Sequence, residues 1–237
     1  MNKKNILILG ANGLVGSSCT RVLSKNKSYN IIPSTRADTD LFNLDETKKL
    51  ISSSKPDVLI IAAAKVGGIY ANNTKRVEFL LENLKINTNI LESYIENNNI
   101  KIINLGSSCI YPLDAKNPIK ETDIMNGKLE PTNSPYAMAK LTAIELGKSV
   151  SIQYGHKIVN LMPTNLYGPN DNFSKLDSHV IPGLIHRMHL AKIKNNSKFS
   201  IWGTGKPLRE FLYVDDLASC IETILNNDIK EDILNVG

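Results

Sequence analysis

The stretch ILILGANGLVGSSCTRVL, Ile6 to Leu23, decides how this chain is to be read. Four apolar residues end at Gly10, two more glycines follow at three-residue spacing as Gly13 and Gly16, and an amphipathic run begins at once. Glycine permits a tight turn and lets the backbone approach a ligand closely, while a helix opening at that point offers oriented N–H groups and partial positive charge. A strand, a glycine turn and a helix in this order predict a cradle for a pyrophosphate.

Outward from that unit the same rhythm repeats. Short apolar runs at 5–9, 30–34, 57–63, 101–107 and 157–163 alternate with helix-length amphipathic segments at 14–26, 45–54, 74–98 and 134–154, as in the spacing of Leu80, Leu84, Asn87, Leu91 and Ile95. Strands that are apolar on both faces predict a parallel sheet covered on both sides, so the fold class is α/β, a doubly wound parallel sheet. After residue 163 the rhythm breaks. TNLYGPNDNFSKLDSHVIP reads as loop, 180–193 as a helix, KFSIWG (198–203) as a short strand, and VDDLASCIETILNN (214–227) as a helix whose first carboxylates suit its dipole. A smaller, interleaved second lobe is expected there, and ILNVG (233–237) reads as a strand followed by a turn glycine.

Bulk composition narrows the function classes. The 237 residues carry 28 Lys and Arg against 23 Asp and Glu, a formal charge of +5 that is spread along the chain and not interleaved with aromatics, which argues against nucleic acid and suits small anionic ligands. No run of 18 apolar residues and no signal-like N-terminus occurs, so a cytoplasmic protein without a membrane partner is expected. Cys19, Cys109 and Cys220 form neither a disulfide framework nor a metal spacing, and no metal is expected.

Three further places carry chemistry. Where a carboxylate about 20 residues past the glycine turn would bind a ribose 2′-hydroxyl, this chain has STRAD, and Arg36 offers a planar cation for a 2′-phosphate. NADP(H) is therefore expected over NAD, with Asp38 and Asp40 as neighbours that leave the alternative open. SPYAMAK sets Tyr136 and Lys140 four apart on one helix face, where a cation beside a phenol is expected to lower the tyrosine pKa toward working pH. LGSSCIYP ends a strand at Ser107, beyond which open α/β sheets bind ligands, and puts a thiol, Cys109, just past it. On spacing alone Cys109 reads equally as a core residue, and none of the four histidines stands out.

The glycine spacing and the Ser107, Tyr136 and Lys140 set resemble the extended short-chain dehydrogenase/reductase superfamily. Its sugar-nucleotide 4,6-dehydratases place an Asp-Glu pair after the strand-end serine or threonine, where this chain has Ser108 and Cys109. The longer strings AAAKVGGIYANNT, GSSCIYP, PTNLYGPNDNF, SHVIPGLIHR and WGTGKPLREFLYVDDLA resemble the GDP-L-fucose synthase family. That resemblance implies epimerisation at C3 and C5 of GDP-4-keto-6-deoxy-D-mannose followed by NADPH-dependent reduction at C4. It implies Cys109 as base, His179 as acid, and Ser107, Tyr136 and Lys140 as the reducing set. It also implies a cofactor pocket of Gly10, Asn12, Gly13, Leu14, Val15, Gly16, Arg36, Asp40, Leu41, Leu105, Gly106, Ser108, Lys140, Pro163, Thr164, Asn165, Leu166 and His179, and sugar-nucleotide contacts at Arg187, Trp202 and Arg209, with Val66 and the glycines after it near the sugar.

The implied organisation is an NADP-binding domain at 1–165, with 208–228 packing back on it, and a partial nucleotide-sugar lobe at 166–207 and 229–237. A homodimer is implied through the helix that bears Tyr136, whose positions 137, 141, 144 and 150 could equally be core. Two departures stand out. Asn12 occupies a glycine-loop position that is often basic in the family, and the family continues for several tens of residues past LNVG, so part of the sugar lobe is expected to be missing. A related GDP-4-keto-sugar reductase or epimerase, such as a heptose enzyme, and a truncated NADP-binding protein without turnover remain alternatives.

Overall fold

A computed structural model of the chain describes residues 3–97, 99–174, 177–201 and 203–237. Its elements run β1 (Lys4–Leu9), α1 (Leu14–Leu23), β2 (Tyr29–Ser34), α2 (Leu44–Ser54), β3 (Val58–Ile61), α3 (Ile69–Thr74), α4 (Arg76–Ile95), β4 (Lys101–Leu105), α5 (Ser134–Tyr154), β5 (Lys157–Pro163), β6 (Asn165–Tyr167), α6 (Val180–Ile193), β7 (Phe211–Tyr213), α7 (Val214–Asn226) and β8 (Ile233–Val236). Six strands form one parallel sheet in the order β2-β1-β3-β4-β5-β8. The strand order reverses on either side of β1, which opens a crevice beyond the carboxyl ends of β1 and β3.

The sheet is apolar on both faces because helices cover both. On one side Ile6, Ile8, Ile60, Ile103 and Leu161 pack with α1 and α7; on the other Leu7, Leu9, Leu59, Ile61 and Ile102 pack with α2, α4 and α5. Each fully buried Ile or Leu contributes roughly 1.5–3 kcal/mol relative to exposure, so alternation within one strand stabilises two layers at once. In α4 the inward face is Phe79, Asn83, Ile86 and Ile90 with Leu91, whereas Leu80 and Leu84, expected inside, are only half-buried.

The helices start and stop where local chemistry dictates. Asn43 caps α2, its side chain accepting from the N–H groups of Asp45 and Glu46. Proline in the first turn opens α5, and Gly155, at φ 73°, ends it. Ala137, Leu141, Ile144 and Val150 of α5 are all buried inside the single chain, which settles their open reading as core.

Three expectations are corrected. Ile233–Val236, grouped with the second lobe, pairs with β5 as the sixth strand of the main sheet, because Leu234 and Val236 pack against the core between the sheet and α1 and α7. Residues 198–201 form no strand, since no neighbouring strand lies there to take up their hydrogen bonds among the described residues. The parallel pair β6 and β7 forms instead, the first from a stretch read as loop.

Candidate active site

At the carboxyl end of β1 the chain turns through Gly10, at φ +81°, and a Cβ there would lie 2.8 Å from the backbone of Ala63. A Cβ on Gly16 would run into the Gly10 carbonyl, so α1 packs against the turn only as glycine. The N–H groups of Gly10 and Ala11 both donate to Ser34 O at 3.0 Å, fastening the turn to the end of β2. Gly13 precedes α1, leaving the first N–H groups of Leu14, Val15 and Gly16 unscreened by any side chain. Gly10→Ala is expected to destabilise the fold by about 2–4 kcal/mol through backbone strain and overpacking. Thermal unfolding should show this as a fall of roughly 5–15 °C.

Beside this turn lies a cleft of about 310 Å³. Gly10, Asn12, Gly13, Arg36, Asp40 and Leu41 all line it, as do Phe42 and Ala62 to Ala64, which the sequence reading did not single out. The small-residue run directly after β3 was the available signal, because only small side chains leave room at a strand end facing a ligand.

The second group sits at the ends of β4 and β5. Ser107 follows β4, and its Oγ accepts from the Cys109 N–H at 3.4 Å, capping a short 3-10 turn over Ser108–Ile110. Gly106 N–H donates to Leu161 O at 2.8 Å, and Met162 Sδ fills the space a Gly106 side chain would need. Lys140, 3% exposed, donates from Nζ to Leu105 O at 2.7 Å, and that nitrogen lies 5.7 Å from the centre of the Tyr136 ring. The Tyr136 ring meets Phe79 edge-on at 6.3 Å.

The electrostatics differ from the expected phenolate. Burial, with the nearby Cys109, pushes the Tyr136 phenol above its ordinary range, and burial lowers Lys140 to about 8. Desolvation outweighs the neighbouring cation, whose N–H is already directed at the Leu105 carbonyl. Burial likewise pushes the Cys109 thiol up, opposed by the Ser107 hydroxyl and the Lys140 charge.

His179 opens α6 from an extended backbone conformation. Its segment is seated by the paired glycines: Gly68 N–H donates to Asp177 O at 2.9 Å, and any Gly68 Cβ would strike the Ser178 carbonyl. The Lys75 ammonium pairs with the Asp177 carboxylate at 2.9 Å, across a second cleft of about 330 Å³ that Arg36, Val66, Phe79 and Asn172 also line. Desolvation lowers the His179 pKa although the residue is exposed on one side, and the Asp171 carboxylate opposes it. Asp171, missed in the sequence, keeps its Oδ2 buried without a hydrogen-bond partner. No hydrogen bond joins His179 to Cys109 among the described residues.

Pro163 ends β5, Thr164 N–H donates to Val236 O at 3.0 Å, and Asn165 donates to Glu210 O from its N–H (3.2 Å) and Nδ2 (2.9 Å). Leu166 packs on the core between the sheet and α1 and α7 and does not line either cleft. Arg187 donates to Gly183 O and Ser200 O, both at 3.2 Å, and the exposed Arg209 to Leu208 O at 2.7 Å; neither lines either of these two clefts. Trp202 lies outside the described residues.

Residues 6–237 match the family described as "NAD dependent epimerase/dehydratase family". The chain is 44% identical over 232 residues to GDP-L-fucose synthase 1 of Arabidopsis thaliana, covering 98% of this chain and 72% of that protein. It superposes on a GDP-6-OMe-4-keto-L-xylo-heptose reductase from C. jejuni with a TM-score of 0.90 at 30% identity, covering all of this chain and 79% of the other. A GDP-L-fucose synthetase from Naegleria fowleri bound to NADP gives 0.87 at 32% identity, with all of this chain and 77% of that one covered. The glycine cradle, the six-stranded parallel sheet and these likenesses agree: the chain belongs to the NAD dependent epimerase/dehydratase family and, within it, to the GDP-L-fucose synthase branch.

Proposed function

We propose that the chain converts GDP-4-keto-6-deoxy-D-mannose to GDP-L-fucose by epimerising C3 and C5 and then reducing the C4 ketone with NADPH. The observation that carries this reading is the convergence of Ser107, Cys109, Tyr136 and Lys140 at the carboxyl end of β4. A dinucleotide fits the cradle at Gly10, Gly13 and Gly16, which a single Cβ at the first or last would fill. When bound there, NADPH supplies the hydride for C4. Leu105, Gly106, Ser108, Pro163, Thr164 and Asn165, at and just beyond the ends of β4 and β5, are assigned to the same dinucleotide.

In this reading the Cys109 thiolate takes the proton α to the ketone and His179 returns one from the opposite face, first at one carbon and then at the other. Ser107 hydrogen-bonds the ketone oxygen, which Tyr136 protonates as hydride arrives at the carbon. Lys140, with a pKa of about 8, is mostly charged at neutral pH and stabilises the tyrosinate left behind. Arg187 and Arg209 are assigned to the diphosphate of the GDP group.

One reaction in deuterated water tests the whole scheme. NADPH oxidation together with deuterium at C3 and C5 supports it; oxidation with no deuterium at either carbon overturns the epimerase half. The likeness to the heptose reductase favours one second reading, a reductase of another GDP-4-keto sugar, and turnover of such a sugar but not the 6-deoxy substrate would select it. Arg36→Ala is expected to weaken NADPH by about 10- to 100-fold, the loss of one charge-assisted contact, with little change for NADH. Fluorescence titration with both cofactors checks this.

The chain is also assigned to the cytoplasm and to a homodimer. No helix among the described residues is long and apolar enough to cross a membrane, and the three cysteines are free. Val77 and Leu81 on α4 and Met138 on α5 are exposed and apolar, and such a face suits burial against a second copy.

A further inference from the structure

The segment between β2 and α2 forms the outer wall of the first cleft, and its carboxylates are engaged in building its own backbone. Asp38 Oδ2 accepts from the Thr35 N–H at 2.8 Å and the Thr35 hydroxyl at 2.7 Å. Asp40 Oδ1 accepts from the Phe42 N–H at 3.0 Å, and Asn89 of α4 holds the Leu41 carbonyl at 2.9 Å. The turn is thereby pinned by four hydrogen bonds, with Asn43 capping the helix that follows.

Among the side chains that the pinned turn presents to the cleft are those of Arg36 and Phe42. Among the described residues no carboxylate lies within ion-pair range of Arg36. Its guanidinium carbon stands 5.9 Å from the centre of the Phe42 ring, and both residues line the cleft. Phe42 is 36% exposed and belongs to none of the hydrophobic cores, so packing alone gives no reason for a large aromatic there. An aromatic face attracts a cation, and a planar guanidinium held on one loses less freedom when it meets an anion than one that samples every rotamer.

We propose that Phe42 is a specificity-determining positioning residue: its ring holds the Arg36 guanidinium at the cleft, and so gives the chain its discrimination between a dinucleotide with a 2′-phosphate and one with a free 2′-hydroxyl. This rests on the NADPH reading above. Asp38 and Asp40, the carboxylates that could have favoured a 2′-hydroxyl or repelled a 2′-phosphate, serve instead to fix the turn that brings Phe42 and Arg36 together.

The test is direct fluorescence titration of NADPH and NADH, which needs no sugar substrate, on the full chain and on Phe42→Ala, Phe42→Tyr, Arg36→Ala and the Arg36→Ala/Phe42→Ala double variant. Phe42→Ala is expected to weaken NADPH about three- to tenfold and leave NADH unchanged, with Phe42→Tyr restoring affinity. In the Arg36→Ala background the Phe42 substitution should add nothing, because its effect runs through the guanidinium. Equal weakening of both cofactors overturns the inference, since the ring would then contact a part of the dinucleotide common to both. Unchanged NADPH affinity in Phe42→Ala, or additive losses in the double variant, overturn it as well. A wild-type chain that binds NADPH and NADH alike overturns the NADPH reading itself, and this inference with it.

Discussion

Cys109→Ser is expected to lower deuterium uptake at C3 and C5 of the 4-keto sugar by about 10²- to 10⁴-fold, the usual contribution of a positioned general base, while NADPH binding is unchanged. A serine hydroxyl occupies nearly the same volume, so the 3-10 turn over Ser108–Ile110 keeps its cap on Ser107 Oγ. What is lost is the readily formed anion. Burial raises the thiol pKa, so uptake by the wild-type chain should climb with pH to values above the ordinary thiol range. Deprotonation of Lys140, from about pH 8, should flatten that rise by removing a charge that favours thiolate. Mass spectrometry or proton NMR of product formed in deuterated water reads both effects. Uptake at the wild-type rate in Cys109→Ser would remove the thiol from the mechanism.

Tyr136→Phe should give the complementary result: NADPH oxidation falls by about 10²- to 10⁴-fold while deuterium uptake persists. The substitution retains the ring that meets Phe79 edge-on, so the helix and the cleft wall stay packed. A phenol pushed up by its surroundings remains protonated across the neutral range, which suits a group that must give a proton to the ketone oxygen. Stopped reactions assayed for cofactor absorbance and isotope content separate the two half-reactions. Loss of both activities would make Tyr136 a structural residue and return the proton for reduction to another donor.

The fold was legible where local signals and tertiary demands coincide. Ile6 to Leu23 carries strand, turn and helix within one stretch, and two of its glycines have no room for a side chain, because Gly10 lies against Ala63 and Gly16 against Gly10. The three-residue strands β6 and β7 are too short to show a period, and the destination of β8 depends on a pairing with β5 some seventy residues earlier, so neither could be read from sequence spacing. The titration of Tyr136 was misjudged for a related reason. Neighbouring charges follow from spacing along a helix, but desolvation follows from everything packed around it, and here desolvation is the larger influence. The seating of the His179 segment on Gly67 and Gly68 likewise joins segments roughly a hundred residues apart.

The small β6–β7 sheet is joined to the main sheet by almost nothing. One residue, Thr164, separates β5 from β6, its N–H held by the Val236 carbonyl, and no residue separates β7 from α7. A hinge needs several residues free to absorb backbone rotation. Neither connection offers such a stretch, so the small sheet is expected to move with the main sheet and not as a separate flap. The ends of β5 and β6 are thus carried on one continuous edge, in step with the end of β4 that leads into Gly106 and Ser107.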